Sequence, residues 1–303
     1  MTQPTETQHR LSNSLKAALL IVAASFLSYS VYWLIQGIIW GYTVTYMFLH
    51  INQISLLTPM GTAELVALFV QEYCSVVNSF VLLFCGVFAF QSAILYVRNK
   101  KNYLGKLRCA LILLAVFQLL LLPSSLHHLL GVAFGWFMVD VFVGLSYLVQ
   151  GLLIVPPLLV LSQKMRNSQN TAPIKKWAFI AAPLFVFALY FKYLFLWVDT
   201  LLPLGPSEAT VASLGGAVNC LVTLLVAGAV TAAAYYSFNR GKIVGNSLVG
   251  AVLVLVGVFF VFYTAVAFFV PVYASFWYLT DFWMLSLPVL GIVLLSQRKI
   301  NRQ

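Results

Sequence analysis

ELVALFVQEYCSVVNSFVLLFCGVFAFQSAILYV runs from Glu64 to Val97, and RNKKNYLGKLR, Arg98 to Arg108, follows it at once. A membrane-spanning helix needs about 20 mostly apolar residues, so the first segment predicts a span and the second predicts a short basic connector. The same alternation recurs along the whole chain. Eight candidate spans result: Leu15 to Trp40, Glu64 to Val97, Leu107 to Leu122, Val139 to Leu161, Trp177 to Leu201, Val211 to Phe238, Ser247 to Val270 and Asp281 to Leu295. The basic connectors are Arg98 to Arg108, Lys164 to Lys176 and Arg240 to Lys242. Arg10 precedes the first span, Lys16 stands at its cytoplasmic start, and Arg298, Lys299 and Arg302 follow the last.

Placed on this map, sixteen of the seventeen Lys and Arg residues fall on one side, and six of the seven acids fall on the other side or within the spans. Basic loops stay with the cytoplasm. The expected fold is therefore an all-α polytopic bundle of eight transmembrane helices with both termini cytoplasmic, placed by default in the cell membrane. Composition agrees: 62% of residues are hydrophobic and 8% charged, against about 45–50% and 25% in soluble domains. The net charge of +10 lies in separate connectors rather than one patch, so it predicts contact with anionic lipid and no nucleic-acid partner. The first apolar run exceeds the about 7–15 residues of a signal-peptide core and reads as a retained helix. Cys74, Cys85, Cys109 and Cys220 are scattered singly and read as free thiols.

The side opposite the basic connectors carries Trp33, Trp40, Trp136, Trp197, Trp277 and Trp283, the pattern of an interfacial belt. Gly41 to Thr62, itself apolar, is expected to lie along the membrane surface there, broken by Pro59, with Thr62 capping the second span.

An offset of 141 residues pairs Asn78 with Asn219, Lys101 with Lys242, Ala110 with Ala251, Trp136 with Trp277 and Asp140 with Asp281. Such a repeat divides the chain into two four-helix units, residues 1–166 and 167–303, within one integrated membrane domain. An even number of spans per unit makes the repeat parallel, related by an axis along the membrane normal. Chance matching between apolar segments is the competing account.

Ionisable groups inside a bilayer are costly and are candidate functional groups. Glu72 leads them. Glu64, Gln71, Ser75 and Asn78 lie at helical spacings on nearly one face of the second span, which predicts a polar path from the outer mouth with Glu72 accepting a proton or cation. Interhelical hydrogen bonding explains the same stripe without a ligand. Lys192 is the single basic residue within a span, with Asp199 seven positions later; it pairs with an outer acid such as Glu72 or snorkels to the headgroups. Asn219 is the counterpart of Asn78 and joins the same candidate site. At the outer mouth stand Glu64, Asp140, Asp281, His127 and His128. Asp140 and Asp281 suit helix N-termini. Adjacent histidines diverge by about 100° on a helix, which argues against a metal site, and no cofactor motif is present. Pro156-Pro157 and Pro288 are expected to kink the fourth and eighth spans.

Three functional classes follow: a small transporter or channel-like permease with a polar site in the outer half, a non-catalytic subunit of a larger membrane complex or homo-oligomer, and an intramembrane or lipid-modifying enzyme.

Overall fold

The computed structural model describes residues 12–50, 62–100, 102–123, 125, 139–167, 250–251, 253–255, 257–258, 283 and 286–300. All regular structure among them is helical: α1 (Asn13–Leu49), α2 (Thr62–Val97), α3 (Tyr103–Leu119), α4 (Val139–Asn167) and α5 (Leu287–Ile300), with further helical residues at 250–251, 253–255 and 257–258. Asn13–Leu49, Phe69–Val97 and Tyr147–Arg166 are long and apolar enough to cross a membrane.

Helices α1 to α4 pack in chain order, each against the next, and α5 lies on the free flank of α1. The α1/α2 seam is antiparallel. Moving up α1, Ser30 meets Gly86, Gly37 meets Ser79, Gly41 meets Val76, Thr45 meets Tyr73 and Phe48 meets Phe69. Small residues bring the backbones close: a methyl group placed on Gly86 would lie 2.9 Å from the Ser30 Cβ and 3.4 Å from the Leu27 Cα. Both serines satisfy their own hydroxyls along their helices, Ser30 donating to the Phe26 carbonyl (2.8 Å) and Ser79 to that of Val76 (2.6 Å). Neither therefore leaves a polar group stranded in the seam.

The α2–α3 turn is much tighter than the eleven-residue connector that the sequence predicts. Lys100 N–H donates to the Leu95 carbonyl (2.8 Å) and Asn99 N–H to that of Tyr96 (3.0 Å), while Asn99 takes φ 55°. This is a Schellman stop with asparagine in the left-handed position. Helix α3 starts at Tyr103, so Lys106 and Arg108 belong to a helix, not to the connector. The turn is held by the Ser92 hydroxyl donating to the Tyr103 carbonyl (2.9 Å), an edge-on Tyr96–Tyr103 contact and Lys106 Nζ 5.0 Å from the Phe88 ring centre. One heptad further in, the Cys85 thiol donates to the Ala110 carbonyl (3.2 Å).

The α3/α4 seam is aliphatic. Ala115, Ile154, Val155 and Leu158 form its buried centre with Leu111, Leu114 and Leu153, and Leu161 and Met165 continue it against Leu104 and Leu107. Helix α4 runs through Pro156-Pro157 without interruption and continues to Asn167, beyond the expected end at Leu161. At the other flank, Gly250 and Gly291 sit back to back, and Gly257 lies under Pro288.

The largest departure from expectation is at α1, which does not stop at Trp40. It continues through Gly41 to Leu49, because no proline interrupts the segment and the first turns of α2 pack alongside it. The Thr43 and Thr45 hydroxyls donate back to the Ile39 and Gly41 carbonyls. Of the expected surface connector, residues 51–61 lie outside the described structure. The last helix is described over Leu287–Ile300 and runs past the expected end at Leu295, while Asp281 lies outside the described residues.

Antiparallel packing gathers Lys16, Arg98, Lys100, Lys106, Arg108, Lys164 and Arg166 toward one end of the four-helix layer. At 1.5 Å per residue, α1 and α2 are each about 55 Å long, well beyond a hydrocarbon core of about 30 Å.

Candidate functional site

Helix α2 has two contrasting sides. Val66, Val70, Tyr73, Val77, Phe80 and Phe84 are exposed, an apolar stripe suited to lipid. Roughly opposite Phe84 lies Leu82, 2% exposed, with Asn78 one turn before it at 3%. Gln71 and Glu72 are half-buried, whereas Ser75 is exposed. The polar stripe read from the sequence thus lies away from the exposed apolar side, but only Asn78 of it is buried, Gln71 being half-buried and Ser75 exposed. Ser75 spends its hydroxyl on the Gln71 carbonyl (3.1 Å). The amide oxygens of Gln71 and Asn78 are buried and accept no hydrogen bond.

Two residues that the sequence reading passed over share that condition. Gln118 on α3 and Gln150 on α4 are each 4% exposed, and each has a buried amide oxygen without a partner. The helix registers put both at the depth of Asn78. From the Cys85–Ala110 contact, seven residues back along α2 reach Asn78 and eight forward along antiparallel α3 reach Gln118. From the Ala115–Ile154 cluster, three residues forward along α3 reach Gln118 and four back along α4 reach Gln150.

The faces divide them between two seams, Asn78 in α2/α3 and the two glutamines in α3/α4. Asn78 is in heptad phase with Cys85 and Ser92, the α2 residues bonded to α3. Gln118 is in heptad phase with Leu111, on the side that packs against α4. Gln150 lies one turn before Ile154, on the α3-facing side of α4. Each sat in the sequence as an isolated amide in an apolar run, LLAVFQLLLL and SYLVQGLLIV, and that isolation was the available signal.

Leaving such an acceptor without a donor costs about 1–3 kcal/mol. Three at one depth are therefore a substantial debit unless something donates to them. The level lies about 18 Å along α3 from Lys106 and about 21 Å along α4 from Lys164, at 1.5 Å per residue.

The other candidates divide simply. Glu64 and Asp140 lie in the first turns of α2 and α4, which places both at the layer end remote from the basic residues. Lys192, Asp199, Asn219, Asp281, His127 and His128 are outside the described residues, as is every polar pair of the proposed repeat in at least one member. Among the described residues no three His, Cys, Asp or Glu side chains come together. Two tryptophans of the expected belt are seen with partners: Trp283 packs edge-on against Phe26 at 5.3 Å and beside Tyr29 at 6.2 Å, and Trp33 contacts Tyr29 at 6.3 Å with its indole N–H buried and unpaired.

No known protein family matches the chain, and no match was found among curated proteins or solved structures.

Proposed function

We propose that this chain is a multi-pass protein of the cell membrane, its basic end and both termini in the cytoplasm, acting as a small transporter or channel-like permease. The observation that carries the reading is the set of polar groups on α2, half-buried Gln71 and Glu72 and buried Asn78, away from the exposed Val66–Phe84 stripe, with the Gln71 and Asn78 amide oxygens unpartnered. Polar groups with open acceptors are expensive in an apolar medium and are kept where a polar species passes or binds. Eight spans in two parallel four-helix units are the architecture we assign, with Lys192, Asp199 and Asn219 completing the site from the second unit.

The test is solute entry into proteoliposomes, followed by light scattering for a panel of small polar solutes and monovalent salts. At least one should enter faster than into empty liposomes, and Glu72→Gln or Asn78→Leu should slow that entry about tenfold, as loss of one strong polar contact does. Rates equal to those of empty liposomes across the panel contradict the transport role.

A second reading, a non-catalytic subunit, has one observation in its favour. The far end of α1 exposes Tyr42, Tyr46, Phe48 and Leu49 beyond the length a bilayer core would cover. Copurification of a stoichiometric partner that is released by Tyr42→Ser with Tyr46→Ser would favour it.

A further inference from the structure

We infer that Arg108, at the basic end of α3, anchors the phosphate of one bound anionic phospholipid whose acyl chains run down the exposed side of the same helix. The inference rests on the membrane reading above and deepens it by naming a ligand. Arg108 is half-buried, has no hydrogen-bond or ion-pair partner among the described residues, and keeps its Nε shielded from solvent without an acceptor.

The charge balance calls for an anion. Lys16, Arg98, Lys100, Lys164 and Arg166 stand at the same end of the layer, whereas the described carboxylates, Glu64, Glu72 and Asp140, lie toward the other. Glu72 is about 39 Å from Arg98 along α2 at 1.5 Å per residue, too far to neutralise this end. Lys106 is already engaged on the Phe88 ring, on the α2 side of α3, so Arg108 is the cation of this helix whose donors remain open. A guanidinium presents those donors as a planar fork that takes two phosphate oxygens at once, and a charged acceptor offsets the cost of holding it partly out of water. The ammonium of a phosphatidylcholine or phosphatidylethanolamine headgroup is repelled by the same cations, so the selected lipid carries net negative charge.

The surface of α3 accommodates the rest of the lipid. Gly105, one turn before Arg108, is exposed, and a Cβ placed on it would meet nothing within 4 Å, so a notch stands open there. From that notch Cys109, Ile112, Val116 and Leu119 follow at helical spacing along one side, all exposed except half-buried Ile112. Leu104, Leu107 and Leu111 on the adjoining side pack against Leu161 and Met165 of α4. Arg108 thus stands at the border between that seam and the open strip. The same packing sets the last turn of α4, with Lys164 and Arg166, beside the first turns of α3, where they add positive field. By helical rise Arg108 lies about 8 Å from the start of α3, and Leu119 about 17 Å further along. A cation near the entrance followed by an apolar strip is the order in which a phospholipid presents phosphate and acyl chain.

The full-length protein in mild detergent is titrated with phosphatidylglycerol, phosphatidic acid and phosphatidylcholine, and native mass spectrometry counts the bound lipids. The expected result is a first adduct with the anionic lipids at concentrations about tenfold below those needed for phosphatidylcholine. Arg108→Gln should bring the anionic lipids level with phosphatidylcholine. Gly105→Leu, at an exposed position with room for the side chain, should weaken the first adduct with the charge intact, and Lys100→Gln should leave it nearly unchanged. Equal binding of anionic and zwitterionic lipids by the wild-type protein overturns the site, whether or not any variant folds. So does an equal loss in Arg108→Gln and Lys100→Gln, which marks diffuse attraction by the whole basic end, or full displacement of the adduct by millimolar glycerol 3-phosphate, which marks an anion site without a lipid. Selective lipid binding without solute flux leaves the site standing and removes transport; flux without selective binding does the reverse.

Discussion

The α1/α2 and α3/α4 seams join neighbouring antiparallel helices by opposite means. In the first, Ser30 and Ser79 fit against Gly86 and Gly37, and the backbones approach closely. In the second, Ile154, Val155 and Leu158 interlock with Leu111, Leu114 and Ala115. In water both would be driven by burial of apolar area. In lipid that drive vanishes, because an acyl chain contacts leucine as well as another leucine does, and close packing is what remains. The α1/α2 seam has little side-chain bulk to rearrange, so it should be the less forgiving of the two.

The largest effect is expected there. Gly86→Leu should abolish recovery of folded protein from detergent, since even its first carbon would press on the Ser30 side chain. Gly86→Ala should cost about 1–3 kcal/mol by overpacking. Adding Ser30→Gly should return at least half of that loss; a double variant no more stable than the single one would show that the seam is not what glycine protects. Next comes Ile154→Ala, at 1% exposure the largest fully buried side chain of the aliphatic seam. Its loss should sit near the lower end of the about 2–5 kcal/mol seen for such truncations, because lipid removes the transfer term and leaves the cavity term. A loss larger than that of Gly86→Ala would reverse the ranking of the two seams. The smallest effect concerns the turn between them. Asn99 has φ 55°, so Asn99→Gly should be neutral or slightly stabilising, whereas Asn99→Val should cost about 1–2 kcal/mol. Thermal unfolding of the three variants side by side measures the difference.

Much of the layer was legible in the sequence because long apolar runs have few alternatives. Glu64 to Val97 and Val139 to Leu161 both fall within helices that the structure contains. Ends were harder to read. Nothing in WGYTVTYMFL, Trp40 to Leu49, distinguishes a helix that continues from one that lies down on a membrane; packing against Phe69 and Tyr73 decides it. Lys106 was read as connector because charge marks a loop in a hydropathy scan, yet a lysine one turn inside a helix can lay its ammonium over Phe88.

The candidate site was legible in part. Asn78 stood out through its stripe with Gln71 and Ser75. Gln118 and Gln150 did not, because each is alone on its own helix and acquires meaning only when the registers α2/α3 and α3/α4 place them level. Sequence periodicity describes one helix at a time, and depth agreement between helices is a tertiary property. The Ser30–Gly86 and Gly37–Ser79 pairs were hidden for the same reason, although Gly37 and Gly41 stand four apart, a spacing typical of close helix approach.

Sidedness is the claim on which the membrane reading turns. Single cysteines replacing Ser14, Asn99 and Gln163, in a background without Cys74, Cys85, Cys109 and Cys220, can be labelled in sealed right-side-out vesicles with a membrane-impermeant maleimide. All three should be protected until the vesicles are opened, because the antiparallel layer puts the start of α1, the α2–α3 turn and the end of α4 at one end, the end that the proposed topology places in the cytoplasm. Labelling of any one of them while the other two stay protected would contradict the account.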